Sequence, residues 1–102
     1  MAAVSWTRQA MDDLQAIHGL YARDTDSYAE VLVEELYEQA DGLGDDPLRG
    51  LTVPEAADES IREIVHGPFR LVYRHRDNDV HILTVCPGCR PDGICGSYQG
   101  EA

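Results

Sequence analysis

Three short runs of β-branched and aromatic residues between residues 61 and 86 constrain the fold more than any other feature. The runs are Ile61 to Val65, Phe69 to His75 and Val80 to Cys86. Gly67-Pro68 and Asp77-Asn78-Asp79 separate them, and both have turn compositions. Connections this short join antiparallel strands, because parallel strands need a crossover of about a dozen residues or more. The sequence therefore predicts a three-stranded antiparallel meander.

Two amphipathic helices are predicted ahead of the meander. From Thr7, which suits a helix N-cap, apolar residues recur at helical spacing as far as Tyr21, and the helix ends or bends at Gly19. A second apolar stripe runs from Ala29 to Leu43. Both stripes need an apolar surface to cover, and one face of the meander can supply it.

These elements define a fold class. Residues 2–6 predict a short strand, and residues 48–60 predict an irregular connection. The predicted class is α+β in the order β-α-α-β-β-β. The small antiparallel sheet consists of the N-terminal strand and the meander, and both helices pack on one of its faces. We expect a single domain over residues 1–102, in which residues 87–102 form a tail rich in cysteine, glycine and proline.

The charged residues are distributed unevenly. The 102 residues include 19 acidic and 8 basic side chains, all of the latter arginine, for a formal net charge of −11. Residues 1–60 hold 14 acidic residues and 3 arginines, whereas residues 61–91 hold 5 arginines and 3 acidic residues. The total charge disfavours contacts with nucleic-acid phosphates, but the mildly basic second part leaves room for them.

The sequence favours a cytoplasmic location. It has no apolar run near the roughly 20 residues that a membrane-spanning helix needs. Its N-terminus lacks a basic region followed by an apolar stretch. We therefore expect no membrane partner.

The ordered series of short motifs resembles the RelE/ParE superfamily, the toxins of type II toxin–antitoxin systems, and more closely its ParE-like branch. The stretches that carry the resemblance are VSWTRQAMDDLQAI at 4–17, DDPLRGLTVPE at 45–55 and SIREIVHGPFRLVYRHRDNDVHILTV at 60–85. The resemblance implies the fold predicted above, a role in growth inhibition and plasmid stabilization, and a cognate antitoxin whose C-terminal segment wraps the toxin. It leaves open whether a homodimer or a toxin–antitoxin heterotetramer forms.

The superfamily has two activities, and the resemblance implies one of them. ParE-like members trap DNA gyrase on DNA, whereas RelE-like members cut messenger RNA in the ribosomal A site. The paired lysines that the nucleases carry are missing here, where Ile61-Arg62-Glu63 stands instead. Inhibition of gyrase or another topoisomerase by binding is therefore the first hypothesis. A ribosome-dependent mRNA endonuclease and an inactive toxin fold that only binds the antitoxin remain alternatives, so whether the chain is an enzyme stays open.

The arginines are the candidate site residues. Arg70 matches the arginine that RelE nucleases carry before Leu-Val-Tyr, and Arg90 lies where they place a second arginine. For cleavage, the resemblance implies Arg62, Arg70 and Arg90 as catalytic groups, with a histidine or Tyr98 for proton transfer. For target binding, it implies Arg70, Arg74 and Arg90. The alternative is that arginines 62, 70 and 74 pair with local carboxylates or with the acidic helices.

The three cysteines form a separate cluster. Cys86 and Cys89 have the CxxC spacing of a zinc knuckle or a redox pair, and Cys95 follows. A zinc site needs four ligands, so a histidine such as His81 would have to join Cys86, Cys89 and Cys95. In a reducing cytoplasm free thiols are favoured over a metal site, and a metal site over a disulfide. No cofactor is expected, with zinc as the exception to test.

The surfaces that would receive an antitoxin are also predicted. An unpaired strand edge of the meander and the groove between the sheet and the helices suit an extended or helical segment. The second helix carries Glu30, Glu34, Glu35 and Glu38 away from its apolar stripe, and these carboxylates would attract a basic segment.

Overall fold

A computed structural model describes residues 2–23, 26–53 and 56–87. The helices are α1 (Arg8–Ala22) and α2 (Asp26–Gly42), and the strands are β1 (Ala3–Trp6), β2 (Leu51–Thr52), β3 (Ile61–His66), β4 (Phe69–Arg76) and β5 (Asp79–Pro87). One five-stranded sheet has the strand order β1-β5-β4-β3-β2. The α+β class, the two helices and the meander of β3, β4 and β5 are confirmed.

Two details of the sheet differ from the prediction. β1 pairs with β5 in parallel, so the sheet is mixed and not wholly antiparallel. Short connections determine the relative direction of the strands only within the meander. Two helices separate β1 from the rest of the sheet, so its direction is not determined in this way. The predicted irregular connection also contains β2, whose two residues pair with Glu63 and Arg62 of β3.

The turns of the meander follow from their residues. Gly67, with φ of +59°, occupies the first position of the two-residue β3–β4 turn, and Pro68 the second. This is the composition of a type II′ hairpin, which needs a positive φ at its first position. Asp77 and Asn78 both have positive φ, 54° and 64°, as a type I′ turn between β4 and β5 requires. Both turns therefore match the right-handed twist of the strands they join.

The main core lies between the helices and one face of the sheet, which we call the inner face. The helices contribute the buried residues Ala10, Leu14, Ile17, Leu32, Leu36 and Ala40, and Leu43 follows directly after α2. The inner face contributes Ile64, Phe69, Leu71, Tyr73, Val80, Ile82 and Val85. Thr7 caps α1 as predicted, since its hydroxyl accepts a hydrogen bond from the Ala10 N–H. Gly19 does not end α1, which continues to Ala22.

A second, smaller cluster lies on the opposite, outer face of the sheet. It comprises the buried residues Val53, Ile61, Val72 and Cys86, with Ala56 and Leu83 packed against it. No residue of α1 or α2 belongs to it, so the two faces are covered by different parts of the described chain. Neither described helix is long and apolar enough to cross a membrane.

Candidate target-binding face

Alternation along β4 places the candidate arginines on the outer face. Phe69, Leu71 and Tyr73 pack in the inner core. Successive side chains of a strand point to opposite faces, so Arg70, Arg74 and Arg76 share the outer face with Val72. We call the outer surface formed by Arg70, Arg74, Arg76, Glu63 and His81 the arginine face. Arg70 and Arg74, two of the predicted target-binding residues, are thus brought to one surface.

Arg70 is almost completely buried and is held by an ion pair. Its side chain is 3% exposed, and its guanidinium contacts the carboxylate of Glu63, which is 20% exposed. Glu63 of β3 stands opposite Val72 of β4, so its side chain reaches Arg70 diagonally across the same face. Two charges taken out of water are tolerated only when they pair, and removal of one partner leaves a buried charge. The sequence-based alternative of pairing with a local carboxylate is therefore realised at Arg70.

The hairpin end of the arginine face is more open. Arg74 is half-buried and stands opposite the exposed His81 in the ladder between β4 and β5. Arg76 is 54% exposed and lies 3.5 Å from a carboxylate oxygen of Asp58. A shallow cavity of about 190 Å³ is lined by Arg74, Arg76, Asp77, Asp79 and His81. This cavity is lined by both cationic and acidic side chains, so a charged partner could replace their internal ion pairs with ion pairs of its own.

Asp58 is fixed in its ionised form by its own loop. The Ser60 hydroxyl and the Ser60 N–H donate hydrogen bonds to Asp58 Oδ1, at 2.7 and 2.9 Å. These bonds, and to a smaller extent the charges of Arg76 and Arg74, hold the pKa of Asp58 below its ordinary value. The carboxylate thus remains available to Arg76 over the physiological pH range.

Arg62 does not share the arginine face. It stands opposite Tyr73, an inner-face residue, and its guanidinium donates to the Gly50 carbonyl oxygen at 2.6 Å. Because cross-strand neighbours share a face, Arg62 lies on the other side of the sheet from Arg70 and Arg74. Two members of the trio predicted for RNA cleavage are therefore not brought together, and the third, Arg90, lies outside the described residues.

The contact of Arg62 belongs to a loop anchor that joins two of the motifs noted in the sequence. The Tyr73 hydroxyl donates to the Pro47 carbonyl oxygen at 2.7 Å and accepts from the Gly50 N–H at 3.0 Å. A Cβ at Gly50 would lie 2.7 Å from both the Glu63 carbonyl oxygen and the Tyr73 hydroxyl, so only glycine fits. Burial raises the pKa of the Tyr73 hydroxyl, which keeps it protonated and able to donate.

The histidines are dispersed over the described fold. His66 Nε2 lies 3.0 Å from Glu35 Oε1 of α2 and thus faces the helices. His75 follows Tyr73 on the inner side of β4, and its N–H donates to the Ser60 carbonyl oxygen. Only His81 lies on the arginine face, so it alone of the three strand histidines could contact a ligand of Arg74.

Sequence reasoning missed the acidic residues that organise the site. Glu63 was noted only as part of the stretch that replaces the nuclease lysines, although an acid on the strand that pairs with Arg70 was a usable signal. Asp13 of α1 is the second of these acidic residues. Its carboxylate in fact accepts a hydrogen bond from the Val85 N–H at 3.0 Å and another from the Thr84 hydroxyl, beyond the point where β1 ends. Asp13 thus satisfies a donor at the edge of β5.

Cys86 is buried, and it is disulfide-bonded. This differs from the free thiol that the sequence favoured. Cys89, Cys95 and Tyr98 lie outside the described residues, so the predicted metal set of Cys86, Cys89 and Cys95 stays a prediction. Among residues 2–23, 26–53 and 56–87, no group of three or more histidine, cysteine, aspartate or glutamate side chains could hold a metal ion.

Comparison with known proteins places the fold in a toxin family. The chain matches the family described as ParE toxin of type II toxin-antitoxin system, parDE, over residues 4–90. It is similar to a chain of the chromosomal ParDE toxin–antitoxin system of P. aeruginosa, with 26% identity, a TM-score of 0.71, and coverage of 83% of this chain and 94% of that one. It is also similar to a chain of the toxin–antitoxin complex RelBE2 of Mycobacterium tuberculosis, with 26% identity, a TM-score of 0.64, and coverage of 82% and 94%. No curated protein matches the chain.

Proposed function

The chain belongs to the ParE family of toxins from type II toxin–antitoxin systems, and on that premise we propose that it inhibits DNA gyrase or a related topoisomerase by binding. In this proposal the toxin holds the enzyme on DNA and forms or breaks no bond itself. Arg70, Arg74 and Arg90 are the residues proposed to contact the target. The proposed location is the cytoplasm, where the target acts.

One observation carries the choice of binding over RNA cleavage. Cleavage by a 2′-hydroxyl needs a base, an acid and cations that converge on one phosphate. Arg62 is occupied by the Gly50 carbonyl on one side of the sheet, and Arg70 is paired with Glu63 on the other. Binding does not require these residues to converge on one phosphate. A surface around Arg74 and Arg76 whose ion pairs can be exchanged is sufficient to recognise a charged partner.

A ribosome-dependent endoribonuclease is the second candidate, and one feature favours it. His81 is exposed and stands opposite Arg74 on the arginine face. An imidazole can both accept and donate a proton, so His81 could transfer a proton beside a cation that binds phosphate. Under this alternative Arg74 and His81 would act together, and a His81→Gln variant would lose cleavage while it keeps RNA binding.

We further propose that a cognate antitoxin covers two regions of the described surface. The first is the edge of β3 beyond β2, beside a cavity of about 310 Å³ that Arg49, Gly50, Leu51, Glu63, Ile64 and Val65 line. Leu51 and Val65 are 74% and 66% exposed there, so an added strand would bury both. The second is an apolar groove of about 190 Å³ between α1 and the sheet, lined by residues that include Ile17, Leu20 and Phe69.

The chain is proposed to assemble either as a homodimer or as a toxin–antitoxin heterotetramer. The acidic surface of α2 favours a positively charged partner, because α2 holds six acidic residues and no basic one. A segment that is basic as well as apolar would complement both α2 and the groove beside α1. Copurification of a small basic protein encoded beside this chain supports the proposal, and the absence of any such partner contradicts it.

The proposed function is tested by induced expression in a bacterial host. Wild type is expected to arrest growth, and Arg74→Ala to relieve the arrest. Arg8→Ala is the matched control, because it removes one positive charge from an arginine that is 91% exposed on α1. Arrest with chromosomal DNA breaks supports topoisomerase poisoning, whereas arrest with cut messengers and intact DNA supports the endoribonuclease. Normal growth with folded protein in a host that carries the native target supports the inactive toxin fold and contradicts both.

A further inference from the structure

One edge of the sheet is unpaired along β1. In the part of the chain that the structure describes, β1 is a terminal strand of the sheet and pairs only with β5. The N–H of Thr7, directly after β1, donates to the Ile82 carbonyl oxygen of β5 at 3.1 Å. Because alternate residues of a strand direct their backbone groups to opposite sides, the N–H and C=O groups of Val4 and Trp6 point away from β5. These groups are available to another strand.

This edge lacks most of the features that protect edge strands from further pairing. Such features include charged side chains, proline and β-bulges, as well as a short length. β1 has the sequence Ala-Val-Ser-Trp and pairs with β5 in an uninterrupted register, so only its length of four residues is protective. The edge of β5 beyond β1 is different, because Asp13 accepts a hydrogen bond from the Val85 N–H at 3.0 Å. The chain thus satisfies a donor of β5 with its own carboxylate and leaves the edge of β1 open.

The second half of α2 lies alongside β1. The indole ring of Trp6 stacks on the Tyr37 ring, with ring centroids 5.8 Å apart and planes 9° from parallel. The carbonyl oxygen of Gly44, two residues after α2, accepts a hydrogen bond from the Ala2 N–H at 2.7 Å. α2 and β1 therefore run side by side in opposite directions. Tyr37 is 54% exposed, so an aromatic surface borders the free edge of β1.

Carboxylates flank this aromatic surface. Glu34 and Asp41 stand three residues before and four residues after Tyr37, so they are its neighbours on the surface of α2. Both residues are exposed, and α2 holds no basic residue that would neutralise them. The surface beside the free edge of β1 is therefore both aromatic and strongly negative. Such a surface complements a cationic side chain, because the ring and the carboxylates both attract it.

We propose that the free edge of β1 binds a positively charged segment of a partner protein, which joins the sheet as an extended strand. Backbone hydrogen bonds to Val4 and Trp6 hold the segment, as in other cases of strand addition. Its cationic side chains stack on Tyr37 and pair with the carboxylates beside it. This surface lies beside α2, whereas the arginine face lies on the outer side of the sheet. The proposal therefore does not rest on the proposed inhibition of gyrase.

The alternation of a strand predicts the sequence pattern of the segment. Val4 and Trp6 pack against the main core, so the side chains beside them in an added strand lie on the side of α2 and are expected to be arginine or lysine. Ala3 and Ser5 are exposed, so small or β-branched residues fit beside them. Alternate residues of a strand lie about 7 Å apart, and one turn of a helix rises about 5.4 Å. Two cations at alternate positions thus approximately match one turn of α2.

The proposal is tested with a synthetic peptide in which arginine and threonine alternate. An isomer of the same composition, with all its arginines in one block, is the control for net charge. Trp6 is the only tryptophan of the chain, so its fluorescence reports binding at this edge. The alternating peptide is expected to change the Trp6 emission in a saturable way and to bind several-fold more tightly than the isomer. Equal affinity for the two peptides overturns the proposal, and so does the absence of binding.

Amide hydrogen exchange tests the added strand itself. The alternating peptide is expected to slow exchange at Val4 and Trp6 several-fold, because an added strand accepts hydrogen bonds from both N–H groups. Exchange at Ser5, whose N–H points to β5, is expected to change little. Peptide binding that leaves exchange at Val4 and Trp6 unchanged contradicts strand addition.

A tyrosine variant tests the aromatic part of the surface. Tyr37→Ala is expected to weaken binding of the alternating peptide several-fold, as measured by the fluorescence anisotropy of labelled peptide. Tyr28→Ala is the matched control, because Tyr28 is 48% exposed and lies on the opposite side of α2 by helical spacing. Circular dichroism checks that both variants are folded. Equal affinities of Tyr37→Ala and Tyr28→Ala contradict the proposed role of Tyr37.

A pair of double variants tests the carboxylates without removing any packed side chain. Glu34→Gln/Asp41→Asn is expected to weaken binding of the alternating peptide several-fold. Asp12→Asn/Glu59→Gln removes the same charge from two exposed residues outside α2 and is expected to bind almost as wild type does. Equal losses in the two double variants would show that binding follows net charge alone and would overturn the proposal.

Discussion

The inner face of the sheet is packed with apolar residues from both helices. The outer face carries an ion pair beside a smaller cluster, to which residues 2–23, 26–53 and 56–87 contribute four buried side chains. Apolar substitutions on the inner face are tolerated best where they keep the total volume and the pattern of the core. The outer face depends on individual partners, since Arg70 needs Glu63 and Arg76 lies beside Asp58. Under the proposed function, stability therefore depends mainly on the inner face, and target binding depends on the outer face.

The largest effect is expected on the inner face. Leu36 of α2 is fully buried in the main core, so Leu36→Ala should lower the free energy of unfolding by about 2–5 kcal/mol through lost burial and a residual cavity. Val31→Ala on the same helix is the matched control, because Val31 is 49% exposed. Denaturant unfolding of both variants measures the difference. Equal losses at the two positions would show that burial in the main core does not determine the effect of Leu36→Ala.

A smaller effect on stability is expected at the ion pair of the outer face, and it can be separated from the effect on toxicity. Glu63→Ala leaves Arg70 without its carboxylate and should cost up to about 3 kcal/mol, since unpaired buried charges are expensive. The double variant Glu63→Leu/Arg70→Met replaces the pair with apolar groups and should recover most of that loss. It should nevertheless lose toxicity if Arg70 serves recognition. Full toxicity in the stable double variant would show that Arg70 is only structural.

Tyr73 offers a test of the loop anchor on the inner face. Tyr73→Phe removes two hydrogen bonds, to the Pro47 carbonyl and from the Gly50 N–H, and should cost about 1–3 kcal/mol. Faster hydrogen exchange at the Gly50 amide, with the amides of β5 unchanged, would show that the loss is local. Uniform acceleration over the sheet would instead make Tyr73 a general core residue.

The same variant gives a pH dependence with a defined sign. Burial raises the pKa of Tyr73 in the folded chain, so the unfolded chain loses the proton first as the pH rises through about 10. Wild type should therefore lose stability with increasing pH above that value, and Tyr73→Phe should lose less. Denaturant unfolding between pH 9 and 11 tests this. Identical slopes for the two proteins would contradict the assignment.

The smallest effect is expected at an exposed ion pair of α1, away from both faces of the sheet. Arg8 and Asp12 lie 3.5 Å apart on the exposed side of α1, with side chains 91% and 57% exposed. A surface pair of this kind contributes about 0–0.5 kcal/mol. Arg8→Ala should therefore leave thermal unfolding almost unchanged, which also qualifies it as the charge control for Arg74→Ala. A large destabilisation would disqualify it.

The inner face was predictable from the sequence because its rules are periodic. Helical spacing placed Leu36, and alternation along β4 placed Tyr73 with Phe69 and Leu71. The parallel pairing of β1 was not predictable, since no short connection fixes the direction of that strand.

The contacts of the site were harder to predict than its face. Alternation put Arg70 and Arg74 together, but nothing in the spacing showed that Glu63 would bury Arg70 or that Arg62 would bind the Gly50 carbonyl. Such contacts depend on which residues stand opposite each other on neighbouring strands and on how far their side chains extend. The sequence alone does not define this register. The same holds for Asp13, whose partner at Val85 lies at the far end of the chain.

The measurement that tests the central claim most directly is a DNA cleavage assay with purified gyrase, supercoiled DNA and the purified chain. The proposal predicts that wild type and Arg8→Ala accumulate gyrase-linked DNA breaks, and that Arg74→Ala accumulates at least about tenfold fewer. Because a tenfold change in binding corresponds to about 1.4 kcal/mol, the loss of one charged contact is enough to produce it. If wild type leaves the cleavage equilibrium unchanged, or if Arg8→Ala and Arg74→Ala fall equally, the arginine face is not the surface that binds gyrase.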